Sequence, residues 1–314
     1  MANEATLARP ASTQGVGLHS GASARLQLLP APAGSGICFR RTDLDDFKVE
    51  ARSANIAKVS YATSLMKQGV FISTTEHLLS ALMGAGVDNV VAELDNLELP
   101  ILDGSALPFV EMIAAARLRR QPRRQRVIEI IEPLELREGE KFIGIYPCSE
   151  YSLRYSIDFP HPVIGRQEFS LTLTPESYRQ ELAPARTFGF LADFPAMRRQ
   201  GLIRGGSLHN AVVLDERRVV NGDLRYRDEF VRHKMLDLIG DLALLGAPLR
   251  AEVRADRAGH ALHTALVQRL LRERRHWRWS EQAARAQASG KATAGATIPA
   301  SAAPAVISAR AYTD

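Results

Sequence analysis

The sequence predicts an α+β protein made of two duplicated β/α domains packed helix layer to helix layer, and three observations carry that prediction. The chain has 314 residues, too many for one average domain and suited to two of about 120 to 150 each. Each half runs from strand-like segments into a histidine-bearing helix, then a strand, a Gly-x-Ala-Leu turn and a second helix. Between the halves lies an arginine-rich stretch without apolar periodicity.

In the first half, Ala24-Arg25-Leu26-Gln27-Leu28 reads as a strand, and a helix begins near Thr75-Glu76-His77-Leu78-Leu79 and ends around Gly84-Ala85-Gly86. A strand over 89–94 follows, and the turn Asp103-Gly104-Ser105-Ala106-Leu107 opens another helix. Residues 117–126 contain Pro122 and precede the strand-like Val127-Ile128-Glu129-Ile130-Ile131, so the domain boundary belongs there. The first domain is expected over 1–121 and the second over 122–280. In the second half, strands between 127 and 173 precede a helix over about 229–245 that ends at Gly246. A strand over 250–255 and the turn Ala258-Gly259-His260-Ala261-Leu262 follow, again opening a helix. His77 and His233 then hold similar places in the two halves and can meet at the interface. From 281 to 314 the chain is an Ala/Ser/Gly/Pro-rich tail, expected to be disordered and without a catalytic role.

Hydrophobic residues at 46% and charged residues at 24% are ordinary globular values, which argues against wholesale disorder and fibrous classes. No apolar run approaches the roughly 18 residues that cross a bilayer, and the first twenty residues have no unbroken hydrophobic core, so the expectation is a cytoplasmic protein without stable membrane insertion. Cys38 and Cys148 are far apart and form no C-x-x-C, so any metal must use nitrogen and oxygen ligands. The net charge of +5 and pI of about 9.4 fit an anionic partner such as nucleic acid, a phosphorylated substrate or an acidic membrane surface. The surplus is partly local, in Arg117, Arg119, Arg120, Arg123, Arg124 and Arg126, which read as a solvated basic connector, and in a second arginine cluster from Arg269 to Arg278. No interleaved aromatic-basic pattern or recognition motif accompanies them, so nucleic acid is not the expected partner.

The chemistry concentrates on the second-half helix. His233, Asp237 and Asp241 are spaced by four and share a stripe with about 40° of drift per step, opposite Val231, Met235, Leu238 and Leu242. Such a stripe can be the wet face of an amphipathic helix. Here Leu236, Ala243 and Leu244 flank it, and polar groups buried in so apolar a helix need partners. His-x-x-x-Asp offers one imidazole nitrogen and one carboxylate oxygen to a common point, two of the three protein ligands usual in a catalytic zinc site. His77 is the candidate third ligand and Glu76 the candidate base. Each has a plainer alternative: a core histidine with one hydrogen bond, and a Ser73-x-x-Glu76 capping box. His260, in a turn beside Gly259, is a candidate proton donor whose pKa Asp241 would raise if the fold brings them together, or else a surface turn histidine.

Eight blocks then occur in order: Gly15-Val16-Gly17-Leu18-His19, Arg40-Arg41-Thr42-Asp43-Leu44, Ser73-Thr74-Thr75-Glu76-His77-Leu78, Leu102-Asp103-Gly104-Ser105, Ala185-Arg186-Thr187-Phe188-Gly189-Phe190, Gly205-Gly206-Ser207, Phe230-Val231-Arg232-His233-Lys234-Met235-Leu236-Asp237 and Gly259-His260-Ala261-Leu262. Together, over about residues 5–280, they resemble the UDP-3-O-acyl-N-acetylglucosamine deacetylases of lipid A biosynthesis.

The resemblance implies a small inserted subdomain in each β/α domain and one zinc ion in the cleft between them, held by His77, His233 and Asp237, with Glu76 as general base on the attacking water. Zinc lowers the pKa of water toward about 7, and a site of this kind also takes ferrous iron. The resemblance makes the Thr187 hydroxyl a stabiliser of the oxyanion, His260 with Asp241 the proton donor to the leaving amine, and Lys234 a positive charge beside the developing anion or a substrate phosphate. The implied partner is a UDP-linked acylated amino sugar, bound by a monomer. Lys141, Phe159 and Arg257 match positions for its uridine diphosphate. Phe188, Leu191 and Phe194, with Ile203, Ser207, Ala211 and Val213, match an acyl passage; His19 and Gly259 complete the substrate-facing set. Two positions depart from the pattern: Ala62 stands where some members have a cysteine near the metal, and Pro160 where an asparagine is sometimes found. A zinc amidase for another N-acetylated sugar and a basic nucleic-acid-binding module are the competing readings.

Overall fold

A computed structural model describes residues 2–57 and 61–281. Alternation along Ser23–Pro30 turns Ala24, Leu26 and Leu28 to one buried face, and that strand sits inside a five-stranded sheet. The sheet order is Ala11–Val16, Ser23–Pro30, Val90–Leu94, Ile37–Arg41 and Phe47–Glu50, with only the pair Val90–Leu94 and Ile37–Arg41 parallel. Two helices belong to this half, α1 (Glu76–Ala85) and α2 (Leu107–Ala116). Gly86, at φ 75°, closes α1 in the left-handed conformation that a side chain would disfavour.

The second sheet has seven strands. Leu249–Asp256, at its centre, pairs antiparallel with Lys141–Tyr146 and parallel with both Tyr151–Phe159 and, at its start, Arg126–Ile130. Leu134–Glu138, Gly165–Thr172 and Trp277–Glu281 extend it. The long helices here are α3 (Glu229–Leu242), continued by a 3-10 turn Ala243–Leu245, and α4 (His260–Arg272), which starts directly after Gly259. Both halves therefore run helix, strand, turn, helix at the expected places. Each also has a small separate sheet, Leu65–Lys67 with Val70–Ile72 in the first half and Phe188–Phe190 with Val212–Leu214 in the second.

The helices of the two halves meet where α1 packs on α3. A Cβ on Gly240 would lie 2.1 Å from the Glu76 carbonyl oxygen, so only glycine permits this approach. Ser80 Oγ donates across the seam to the Leu236 carbonyl at 2.8 Å, and Tyr178 donates to Ser80 Oγ at 2.8 Å. Val231, Met235, Leu238 and Leu242 are buried, but so are His233, Asp237 and Asp241, so the polar stripe of α3 is no wet face.

One expectation needs correcting. Residues 117–126 are not an unstructured connector: Leu118–Arg124 is a strand, antiparallel to Asn3–Leu7. Its arginines are exposed and only Gln121 is buried, which leaves no apolar period to read. Main-chain pairing holds it, together with Gln121 Nε2 on the Ala31 carbonyl at 2.8 Å and Asn89 Nδ2 on Gln121 Oε1 at 2.8 Å. Pro122 is tolerated in so marginal a two-stranded sheet. The expected boundary at 121/122 falls inside this strand, and the described residues form one compact unit. From residue 282 the expected tail lies outside the described residues. Among the described residues no helix is long and apolar enough to cross a membrane.

Candidate metal centre and active site

The start of α1 presents Glu76 and His77 to the α3 stripe. Thr74, at φ 58°, turns the chain, and Thr75 is tied through its N–H and its Oγ1 to the Thr63 carbonyl, both at 3.1 Å. No side chain caps this helix. Ser73 Oγ bonds Ser64 Oγ at 3.1 Å, and Glu76 Oε2 accepts the Thr63 N–H at 3.0 Å, so the capping-box alternative falls. Glu76 and His77 are each only 4% exposed, which rules out a solvated role for either.

His77, His233 and Asp237 offer ligand atoms that all lie within 4.8 Å of one another. His77 Nε2 is 3.7 Å and His233 Nε2 3.3 Å from Asp237 Oδ1, and the two rings meet edge to face at 5.0 Å. His233 Nδ1 is 3.1 Å from the Ala185 carbonyl, which can only accept, so the ring proton sits on Nδ1 and Nε2 presents a lone pair. Burial, aided by the neighbouring His233, pushes the His77 pKa down to about 3, and burial lowers that of His233. Both rings are thereby neutral, as ligands must be. Burial opposes ionisation of Asp237, but the positive charges of Lys234 and His260 outweigh it and hold the carboxyl below its usual range. Lys234 Nζ donates to Asp237 Oδ2 at 2.7 Å; burial works against its charge, and Asp237 more than restores it. Asp237 Oδ1 is buried with no hydrogen-bond partner. An acceptor left so costs about 1–3 kcal/mol, more when charged. A free carboxylate oxygen facing two imidazole lone pairs is a donor set that fits a divalent cation.

One turn further along α3, Asp241 is fully buried and fully engaged. Its Oδ1 accepts from Thr63 Oγ1, and its Oδ2 accepts from His260 Nδ1 at 2.7 Å and His263 Nδ1 at 2.8 Å. Burial alone would lower the His260 pKa, but the charge and hydrogen bond of Asp241 raise it to about 9. Burial pushes Glu76 up to about 8, against the opposing pull of His260. His260 Nε2 stands 3.9 Å from both Glu76 Oε1 and Asp237 Oδ2. The first of these contacts places the expected base and the expected acid side by side.

The remaining expected residues fall into three groups. Thr187 is half-buried, its N–H bonded to Gly104 O at 2.8 Å and its carbonyl accepting from Val212 N at 2.7 Å. A Cβ on Gly104 would sit 2.1 Å from Asn210 O, so that glycine lets the 102–105 block reach the strand. Phe188 packs 5.0 Å from Phe230 and 6.4 Å from His233, ring to ring. Ile203 and Val213 are buried, Phe194 and Ala211 half-buried, and Leu191 and Ser207 exposed. His19 lies against the 203–207 segment: its carbonyl accepts Arg204 N at 3.1 Å, and both its ring nitrogens are buried without a partner. Register puts Lys141 and Arg257 at one end of the second sheet, since Phe142 and Ser156 both pair with Asp256. Arg257 is held by Glu140 Oε2 at 2.7 Å and Asp256 Oδ2 at 3.2 Å. Phe159 packs on Phe188 at 5.7 Å and Phe190 at 5.9 Å, so it joins the aromatic cluster next to His233.

Three residues around Asp241 stand outside every motif read from the sequence. Thr63 sits in no motif. His263 is fully buried, and Tyr155, whose hydroxyl is 3.0 Å from His263 Nε2 and 2.7 Å from Ala258 O, braces the turn before His260. The spacing His260-x-x-His263 across one helical turn is the signal that could have flagged His263; Thr63 and Tyr155 have none.

Nitrogen and oxygen donors around a common point, a buried glutamate beside them and an aspartate-bound histidine within reach are the working parts of a metal-dependent hydrolase. The model of the UDP-3-O-acyl N-acetylglycosamine deacetylase family (LpxC) matches residues 4–272. Three proteins named UDP-3-O-acyl-N-acetylglucosamine deacetylase are similar over most of their length. That of Solibacter usitatus (strain Ellin6076) is 53% identical over 269 residues, covering 85% of this chain and 91% of its own. That of Myxococcus xanthus (strain DK1622) is 45% identical over 271 residues (86% and 86%), and that of Cellvibrio japonicus (strain Ueda107) 42% over 283 (89% and 93%). The chain belongs to the UDP-3-O-acyl-N-acetylglucosamine deacetylase family, whose members are metal-dependent hydrolases.

Proposed function

We propose that this chain hydrolyses the 2-acetamido group of UDP-3-O-(3-hydroxyacyl)-N-acetylglucosamine, a step of lipid A biosynthesis, with one zinc ion held by His77, His233 and Asp237. The observation that carries the ligand assignment is the buried, unpartnered Asp237 Oδ1 facing Nε2 of both histidines. Zinc, or ferrous iron in its place, supplies Lewis acidity that lowers the pKa of water and polarises the amide carbonyl.

The chain's own groups do the rest. Glu76 takes a proton from the attacking water, and its raised pKa makes it a stronger base than a solvated carboxylate. The water oxygen bonds to the acetamide carbon, and the Thr187 hydroxyl donates to the oxygen that gains charge. When the carbon–nitrogen bond breaks, His260 delivers its Nε2 proton to the amine, leaving acetate and the free amino sugar. Asp241 keeps His260 charged until then. Lys234 holds Asp237 by Oδ2 and adds positive charge nearby.

Lys141 and Arg257 provide cations for the diphosphate, and Phe159 a ring face at the same end of the sheet. Phe188, with Leu191, Phe194, Ile203, Ala211 and Val213, supplies apolar lining for the acyl chain, where each buried methylene contributes about 0.8 kcal/mol. Ser207 belongs to the same passage, and His19 and Gly259 complete the substrate-facing set. We read the enzyme as a monomer, and the nucleotide-linked substrate suits the cytoplasm. Elemental analysis of the purified protein should find about one zinc or iron per chain, and the acylated substrate should be turned over far faster than UDP-N-acetylglucosamine. Metal-free protein that is fully active, or equal turnover of the two substrates, would refute the reading.

A further inference from the structure

Thr63 touches both ends of the proposed proton transfer, although it belongs to none of the motifs. It is fully buried in the segment before Leu65–Lys67. Its N–H donates to Glu76 Oε2 at 3.0 Å, and its carbonyl receives both the N–H and the Oγ1 of Thr75, the residue before Glu76. Its hydroxyl donates to Asp241 Oδ1, and the same oxygen is 3.2 Å from His260 Nδ1. One residue thus reaches the first turn of α1, the last turn of α3 and the start of α4.

A buried threonine needs only one partner to satisfy its hydroxyl, commonly a nearby carbonyl. This one spends it on the carboxylate that orients His260. The terminal torsions of Asp and Glu are broad and set by hydrogen bonds rather than by intrinsic preference. Asp241 Oδ2 already serves both His260 and His263, at 2.7 and 2.8 Å. Held at that oxygen alone, the carboxylate plane could swing; the Thr63 hydroxyl on Oδ1 fixes it. In the same way the Thr63 N–H on Oε2 leaves Glu76 Oε1 turned toward His260 Nε2, 3.9 Å away.

The geometry points to Thr63 as a positioning residue that sets the base Glu76 and the Asp241–His260 pair in register with each other, a role that rests on reading Glu76 and His260 as base and acid. The hydroxyl is its separable half. Thr63→Val keeps the volume and the N–H but removes the donor to Asp241; Thr63→Ser keeps the donor. Misplacement of a proton-transfer group on this scale costs about ten- to a hundredfold in rate.

The test measures kcat, KM, metal content and thermal unfolding for Thr63→Val, Thr63→Ser, His260→Ala and the Thr63→Val/His260→Ala double variant of the full chain. The expected result is a kcat about tenfold or more lower in Thr63→Val, with KM and metal content unchanged, and Thr63→Ser within about threefold of the parent. In the His260→Ala background the valine should have no further effect on kcat, because the group it acts through is gone. Should Thr63→Val not fold, Thr63→Ala, which removes the hydroxyl without adding bulk, carries the same expectation. Parental kcat in Thr63→Val, an equal loss in Thr63→Ser, or a full multiplicative loss in the double variant overturns the role. Unchanged turnover in His260→Ala would instead bring down the acid–base reading beneath it.

Discussion

Asp237 and Asp241 are one turn apart on the same buried helix, yet their surroundings differ in kind. Asp237 has Lys234 on one oxygen and no hydrogen-bond partner on the other, and its histidine neighbours are driven neutral. Asp241 has both oxygens occupied, and its neighbour His260 is driven to the charged form. Burial is nearly equal at the two places and favours the neutral ring at both, so the difference between them comes from the count and geometry of partners. An unfilled carboxylate beside two lone pairs suits a cation, whereas a filled one beside a protonated imidazole suits proton delivery.

Breaking the first place should have the largest effect. Asp237→Ala removes one of three proposed ligands, so metal content measured by elemental analysis should fall well below one per chain and turnover should approach background. Glu76→Ala should keep the metal while lowering kcat by about 10²–10⁴-fold, the usual contribution of a general base. Retention of full activity by either variant would contradict the division of roles.

The second place is sharpened by pH. His260 acts only when protonated, so its contribution is present below its folded-state pKa of about 9 and lost as pH rises through it. Glu76 acts only when ionised, so the acid limb follows its release from a pKa raised toward 8, and a bound cation would draw that limb lower. Asp241→Asn removes the charge that holds His260 up while leaving the burial that pushes it down. The alkaline limb of the rate profile should therefore move down from about 9 toward the ordinary histidine value of about 6.5. An unmoved limb would show that Asp241 does not tune His260. The smallest effect expected is structural: Gly240→Ala should lower stability by about 1–3 kcal/mol in denaturant titrations, because its methyl meets the Glu76 carbonyl.

This contrast also explains what the sequence reveals and what it hides. α1 and α3 are legible because apolar periodicity and glycine stops frame them, and His233, Asp237 and Asp241 stand out as polar residues four apart in an apolar helix. Their pairing with His77 follows once both halves are seen to share a plan. Thr63 and Tyr155 are single residues whose partners lie 178 and 108 positions away, and no local pattern marks such contacts. The strand Leu118–Arg124 is hidden for a different reason: main-chain bonds and one buried glutamine hold it, and periodicity registers neither.

The central claim is that His77, His233 and Asp237 share a single divalent cation. Anomalous diffraction at the zinc edge from crystals of the zinc-loaded protein tests it most directly. The account predicts one peak within about 2.0–2.2 Å of both Nε2 atoms and Asp237 Oδ1. A peak placed instead among Asp241, His260 and His263, or no peak at either group, would contradict it.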